Sequence, residues 1–183
     1  MPPLVPPDPP LTDGVVTLRS WSDLDAGALA ALMDEPEIAR WTRAPSPYRE
    51  RDAIEWLATH STLMRRRSEL PLAIADAESG ELIGSIGLRF PEEGRGEFGY
   101  LVAAPARGRG VTERALRLFA RWAFAELAME RLEVLVQPAN EASLKVAERV
   151  GFQREGVMRS YTAVRGRRVD MVVLGMLPDD LRV

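Results

Sequence analysis

Cysteine is absent from the 183 residues, which removes disulfides, thiolate metal sites and cysteine nucleophiles together and makes a reducing, cytoplasmic setting the expected one. Histidine occurs once, at His60, so no histidine cluster can hold a metal. Its place on a predicted helix beside Trp56 and Met64 reads as a partly buried or surface side chain rather than a ligand. No apolar run is long enough to span a bilayer, and the first residues carry no charged-then-apolar targeting pattern, so a soluble protein without a membrane partner is expected. An excess of one charge is lacking too. The net charge is −3, with 28% charged residues of both signs interspersed, which argues against a general nucleic-acid surface.

What is present fits one domain, long enough to bury roughly 70% of its unfolded surface. Residues 1–14 hold six of the fourteen prolines and read as an extended, weakly ordered arm outside the core, with residues 15–183 as the single domain. Val15 to Ser20 alternates as a first strand. Ser22 then reads as an N-cap with Asp25 at the third helical position, opening a helix that Pro36 interrupts or ends. Ser46-Pro47 reads as a cap followed by proline at the first position of a second helix, which ends in Arg65-Arg66-Arg67. Leu72 to Ala75, Glu81 to Leu88 and the strand opening at Glu97 are short-linked, which favours an antiparallel meander. Leu132 to Val136 follows a long crossover helix and is most simply parallel to the Glu97 strand. Asn140 is a good N-cap for the helix 141–150, closed at Gly151, and two strands near 157–164 and 169–176 complete the chain.

The chain is organised around residues 97–127. Phe98, Tyr100 and Val102 fill one face of a strand, and Glu97, Gly99 and Leu101 the other. From Val111 the apolar positions Leu116, Phe119, Ala123 and Leu127 recur at helical spacing. Between them lies Arg107-Gly108-Arg109-Gly110-Val111-Thr112. Glycines there let successive N–H groups approach an anion at the positive end of the following helix, which suits a pyrophosphate, and the two arginines add charged donors. An ordinary strand-to-helix loop with solvated arginines remains the alternative. A triphosphate loop is excluded because no Lys-Ser or Lys-Thr follows Gly110, and the dinucleotide fingerprint lacks its third glycine.

Arg-Gly-Arg-Gly-Val-Thr at 107–112, Glu-Phe-Gly-Tyr at 97–100, Asn-Glu-Ala-Ser and Val-Gly-Phe at 140–152, and Val169-Asp170 make the chain resemble the Gcn5-related N-acetyltransferase (GNAT) superfamily. The resemblance is strongest to its ribosomal-protein alanine acetyltransferase (RimJ/RimL)-like branch and covers nearly everything after the arm. It implies an α/β (α+β) fold with a mixed, mostly antiparallel sheet flanked by helices, in which one parallel strand pair splays. It also implies acetyl-coenzyme A as co-substrate and no metal. The turn from Arg107, Gly108, Arg109, Gly110 and Val111 to Thr112 would hold the pyrophosphate, although Thr112 replaces the usual Gly or Ala. Pantetheine would enter the gap between 100–104 and 132–136, contacting Leu101 and Val102, with an N–H near Val102 facing the thioester oxygen. Pro105, lacking an N–H, agrees with an end to ladder pairing there.

The reaction so implied is direct attack of a primary amine, on a protein N-terminus or a small molecule, in a ternary complex. Glu97 is the expected base, directly or through a water, with Glu133 the competing carboxylate and a solvated or ion-paired strand glutamate the plain alternative. Ser143 is the candidate donor to the leaving thiolate and Asn140 a coenzyme contact, although both could simply serve the helix cap. Tyr161 and Asp170 match acceptor-side positions. A coenzyme A-binding module without turnover is the rival function, and the oligomeric state is left as monomer or homodimer.

Overall fold

A parallel strand pair needs a crossover of a dozen or more residues, and the chain has one place that supplies it, the long amphipathic helix after Gly110. A computed structural model, describing residues 3–181, places that crossover at the middle of an eight-stranded sheet. The strands are β1 (Leu11–Thr12), β2 (Val16–Arg19), β3 (Glu69–Asp76), β4 (Leu82–Glu92), β5 (Arg95–Val102), β6 (Arg131–Val136), β7 (Gln153–Val164) and β8 (Arg167–Met176). Their spatial order is β1-β2-β3-β4-β5-β6-β8-β7. All neighbours are antiparallel except β5 and β6. The helices are α1 (Ala26–Met33), α2 (Pro36–Trp41), α3 (Glu50–Arg65), α4 (Val111–Glu126) and α5 (Glu141–Val150).

Period-two alternation sorts the sheet into two faces. On one, Leu72, Ile86, Leu88 and Phe98 join the buried stripe of α4, Ala115, Leu116, Phe119 and Ala123, in one core. Phe98 meets Phe119 edge to face at 5.3 Å, and Phe152 at 6.4 Å. The opposite face carries α1 and α3 around Ala26, Leu29, Tyr48, Ala53 and Leu57. His60 belongs to this layer. It is buried, stands edge-on to Trp56 at 4.2 Å, and burial lowers its pKa to about 4, so it is a neutral packing group.

Two expectations are corrected. The proline-rich arm is not outside the core. Leu4 is 4% exposed and its N–H donates to the Met64 carbonyl at 3.1 Å, while Leu11 and Thr12 pair with Leu18 and Thr17. Proline favours an extended path, and the apolar Leu4, between prolines, and Leu11, just after Pro10, draw that path onto the domain. Helix α3 begins at Glu50 rather than at Pro47. Tyr48 is buried in the α1–α3 cluster and its N–H is bound by Asp34 at 2.8 Å, so the chain stays extended until Arg49, whose N–H donates to Asp52.

The turn into α1 shows the capping box read from Ser22 and Asp25. Asp25 also takes both guanidinium donors of Arg19 at 2.8 Å. Burial alone would raise its carboxyl, but Arg19 and the Ser22 N–H more than offset that and hold it below its ordinary 3.8. A lowered folded-state value means stability present above the unfolded pKa and lost as pH falls through the folded one. Asp25→Asn should therefore lower the melting temperature at pH 7, with a deficit that shrinks below about pH 4. A deficit constant down to the acid limit of folding would show that the charge is not the cause.

Candidate active site

The site begins where a ladder stops. Strands β5 and β6 pair from Arg95–Arg131 to Phe98–Val134, and no register continues beyond, although β5 stays bound to β4 as far as Val102–Gly84. The two strands therefore separate over Gly99–Val102, leaving one edge of β5 unpaired. The Ala103 N–H donates to Ile83 of β4 at 2.9 Å, so the antiparallel alternation turns the N–H groups of Val102 and Tyr100 the other way, into the opening.

Directly after it, Ala104–Ala106 form a single 3-10 turn containing Pro105, and the chain enters the glycine turn. Gly108 and Gly110 both have left-handed φ, 73° and 74°. That geometry, with Gly110 as the N-cap of α4, aligns the amides of the turn with the first amides of the helix. Among the described residues no hydrogen bond of ordinary geometry is donated by the N–H groups of residues 108–112, and the first intrahelical bond is Arg114 to Gly110 at 3.0 Å. Five consecutive donors at the positive end of a sixteen-residue helix form an anion cradle. From it an open groove of about 540 Å³ runs along α4, lined by Arg109, Arg114, Arg117 and Arg121, with Asp13 bonded to Arg114 at 2.7 Å. Arg107 is used differently. Its Nε donates to the Val102 carbonyl at 3.0 Å and its Nη2 pairs with Glu35, whose other oxygen accepts from the Ala104 N–H at 2.9 Å. One donor thus ties the turn to the end of β5 and another to the α1–α2 junction.

Glu97 lies two residues before the opening, on the face opposite Phe98, and its carboxylate pairs with Arg89 of β4. Leu101 shares that face, nearer the opening. Arg89 stands between two carboxylates, because Glu69 is its register partner on β3. Burial pushes the Glu69 carboxyl up, and the charge of Glu97 adds to that while Arg89 opposes it. Glu133 is adjacent to Glu97 on β6, is 8% exposed, and accepts from Arg95 at 3.0 Å and Arg131 at 2.7 Å. With one guanidinium on each oxygen, Glu133 is tied up as a structural ion pair.

At the far wall of the opening, Asn140 caps α5 by accepting from the Ser143 N–H at 3.2 Å, which leaves its amide NH₂ to donate elsewhere. The Ser143 hydroxyl meets Tyr100 of β5 at 2.7 Å. Leu101 and Val102 thus lie on the free edge itself, residues 107–112 follow it in the chain, Ser143 and its cap Asn140 reach it through Tyr100, and Glu97 stands in the paired stretch before it. Tyr161 and Asp170 lie on the β7–β8 pair. Asp170 accepts from the Ser160 N–H at 2.7 Å and holds a register shift in β7, and Tyr161 is 48% exposed. Sequence reasoning missed Glu35, Glu69, Arg89 and the pairing of Tyr100. Only cross-strand placement of opposite charges could have indicated Arg89. Among the described residues no cluster of three metal-ligating side chains occurs, and no helix is long and apolar enough to cross a membrane.

A family model described as an acetyltransferase (GNAT) domain matches residues 16–153. Over 168 residues the chain is 28% identical to the uncharacterized N-acetyltransferase p20 of Bacillus licheniformis, with 88% of this chain and 92% of that protein covered. YdaF of Bacillus subtilis, provisionally named a ribosomal N-acetyltransferase, is 29% identical over 172 residues, or 88% of this chain and 91% of that one. Among solved structures, RimJ of Mycobacterium smegmatis in complex with CoA-disulfide superposes with a TM-score of 0.84 at 23% identity, over 95% of this chain and 87% of that one.

Proposed function

The chain belongs to the GNAT acetyltransferase family, and from that premise we propose that it transfers the acetyl group of acetyl-coenzyme A to a primary amine by direct attack in a ternary complex. The observation that carries this reading is the opening of the β5–β6 pair shortly before a turn in which the amides of residues 108–112 donate no hydrogen bond of ordinary geometry among the described residues. An extended, hydrogen-bonding pantetheine arm suits an unpaired strand edge, and a diphosphate suits five amides at a helix N-terminus. The groove of Arg109, Arg114, Arg117 and Arg121 would supply charge to the remaining phosphate.

Each residue then has a task. The N–H of Val102, turned into the opening, stabilises the charge that develops on the thioester oxygen as the amine adds. Glu97 takes the proton of the attacking amine, through a water. Its guanidinium partner bonds one of its oxygens, whereas each oxygen of Glu133 already holds a guanidinium. Ser143 hydrogen-bonds the sulfur as the C–S bond breaks, and Asn140 donates its amide to the coenzyme. Arg107 sets the height of the turn through Glu35 rather than gripping phosphate with all its donors. Leu101 lines the Glu97 side of the opening, and Tyr161 and Asp170 shape the acceptor side from the β7–β8 pair.

A protein N-terminal α-amine is the first acceptor to test. It titrates near ~7.7–8.0, so a modest base suffices, and the name borne by YdaF points to a protein substrate for that relative. Free-thiol release from acetyl-coenzyme A, followed with a panel of N-terminal peptides, polyamines and aminoglycoside-type amines, tests the proposal. Release with at least one peptide supports it. Stabilisation by coenzyme A with no release for any amine would leave a binding module.

A further inference from the structure

One half-buried polar group stands beside the opening without a role in that scheme. Tyr100 leaves β5 on the same face as Phe98, and its hydroxyl lies 2.7 Å from the Ser143 Oγ and 3.5 Å from the Ser143 carbonyl oxygen. The contact crosses from β5 to α5 beyond the last rung of the β5–β6 ladder, at residue 98. We infer that Tyr100 is a positioning residue for acyl transfer: its O–H donates to Ser143 Oγ and so directs the proton of Ser143 toward the departing coenzyme sulfur. The inference rests on reading the opening as the seat of the thioester.

The direction of the bond follows from the surroundings. The Tyr100 hydroxyl is half-buried, and among the described residues both acceptors within its reach belong to Ser143, so the bond it makes to the protein is one it donates there. Burial raises the phenol to about 12, with the Ser143 contact opposing, so it remains a donor across the working range of any amine acetyltransferase. A serine hydroxyl has one proton and two acceptor positions. In the first turn of a helix it readily spends that proton on a nearby backbone carbonyl. With the phenol already occupying an acceptor position, and its ring fixed by β5, the serine rotor is restricted to orientations that leave the proton free for a group in the opening. No proton leaves Tyr100 in this scheme. As the C–S bond breaks, the electron pair goes to sulfur and is met by the Ser143 O–H, while the amine proton leaves through Glu97.

A purely structural strut between β5 and α5 would give the same contact, and kinetics separate the two. The turnover number and the KM for acetyl-coenzyme A are measured with one peptide acceptor for the wild type, Tyr100→Phe, Ser143→Ala and the double variant, with thermal melts of each. Ser143→Ala should lower kcat about tenfold, the scale of one hydrogen bond to a developing charge. Tyr100→Phe should lower kcat severalfold with KM unchanged, and should have no further effect in the Ser143→Ala background. Ser143→Thr, which keeps the hydroxyl, should keep both the rate and the sensitivity to Tyr100→Phe. An equal loss from Tyr100→Phe in both backgrounds, a loss confined to KM, or no loss would overturn the inference. A Ser143→Ala enzyme as fast as the wild type would remove Ser143 and Tyr100 together while leaving the coenzyme seat standing. Failure of the wild type to bind coenzyme A in calorimetry would instead remove the seat itself.

Discussion

Replacing Gly110 by aspartate should reduce acetyl-coenzyme A affinity at least about a hundredfold, or roughly 2.7 kcal/mol, while the domain stays folded. An added Cβ at this position meets nothing within 4 Å, so no clash forces the turn to rearrange. The backbone there is left-handed, at φ 74°, which a side chain occupies at some cost, although aspartate is among the residues that tolerate it best. What aspartate adds is a negative charge on the amides of residues 108–112, at the position reserved for the diphosphate. Gly110→Ala carries the backbone cost without the charge and should lose much less affinity. Calorimetry on both variants tests this. Equal losses would assign the effect to the backbone, and an unchanged affinity for the aspartate variant would contradict the cradle.

The second large effect is on turnover. Glu97→Gln should lower kcat about a hundredfold, the usual contribution of a positioned base, with coenzyme affinity nearly unchanged. Glutamine can still accept from Arg89 and keeps the size of the side chain, so the strand should not move. The loss should be largest below the pKa of the acceptor amine, where removal of its proton is most needed. A variant as fast as the wild type at every pH would remove Glu97 from the mechanism. Glu133→Gln serves as the contrast. It removes the charge and sets an NH₂ donor against one of the Arg95 and Arg131 guanidinium groups, so it should lower the melting temperature more than the rate per folded molecule.

The strand, turn and helix of residues 97–127 were legible because each carries a local signal: alternation through Phe98, Tyr100 and Val102, glycines where φ must be positive, then a 3.6-residue apolar period. The capping by Ser22 of the 3-10 turn that leads into α1, and of α5 by Asn140, was legible for the same reason. The family motifs carried the expectation of a splay, but its position was not readable. Nothing at Phe98 distinguishes the last paired residue from Tyr100, because the partner strand lies more than thirty residues on. Long-range charge pairing was also invisible. Glu35 clamps Arg107 across 72 residues, and only the register aligns Glu69 and Arg89 with Glu97. Tyr100 was read as a core aromatic, since an alternating pattern reveals the ring but not the partner of its hydroxyl. In the arm, six prolines drew attention from Leu4 and Leu11, the two side chains that fasten it.

The central claim concerns particular amides, and backbone amide NMR during titration with acetyl-coenzyme A tests it most directly. The N–H signals of Gly108 and Gly110 should shift strongly, and those of Tyr100 and Val102 should shift and become slower to exchange as an unpaired strand edge gains a partner. Signals of the outer pair Leu11–Thr12 should stay in place. Binding accompanied by shifts elsewhere, with residues 108–112 and the free edge of β5 unmoved, would contradict the account.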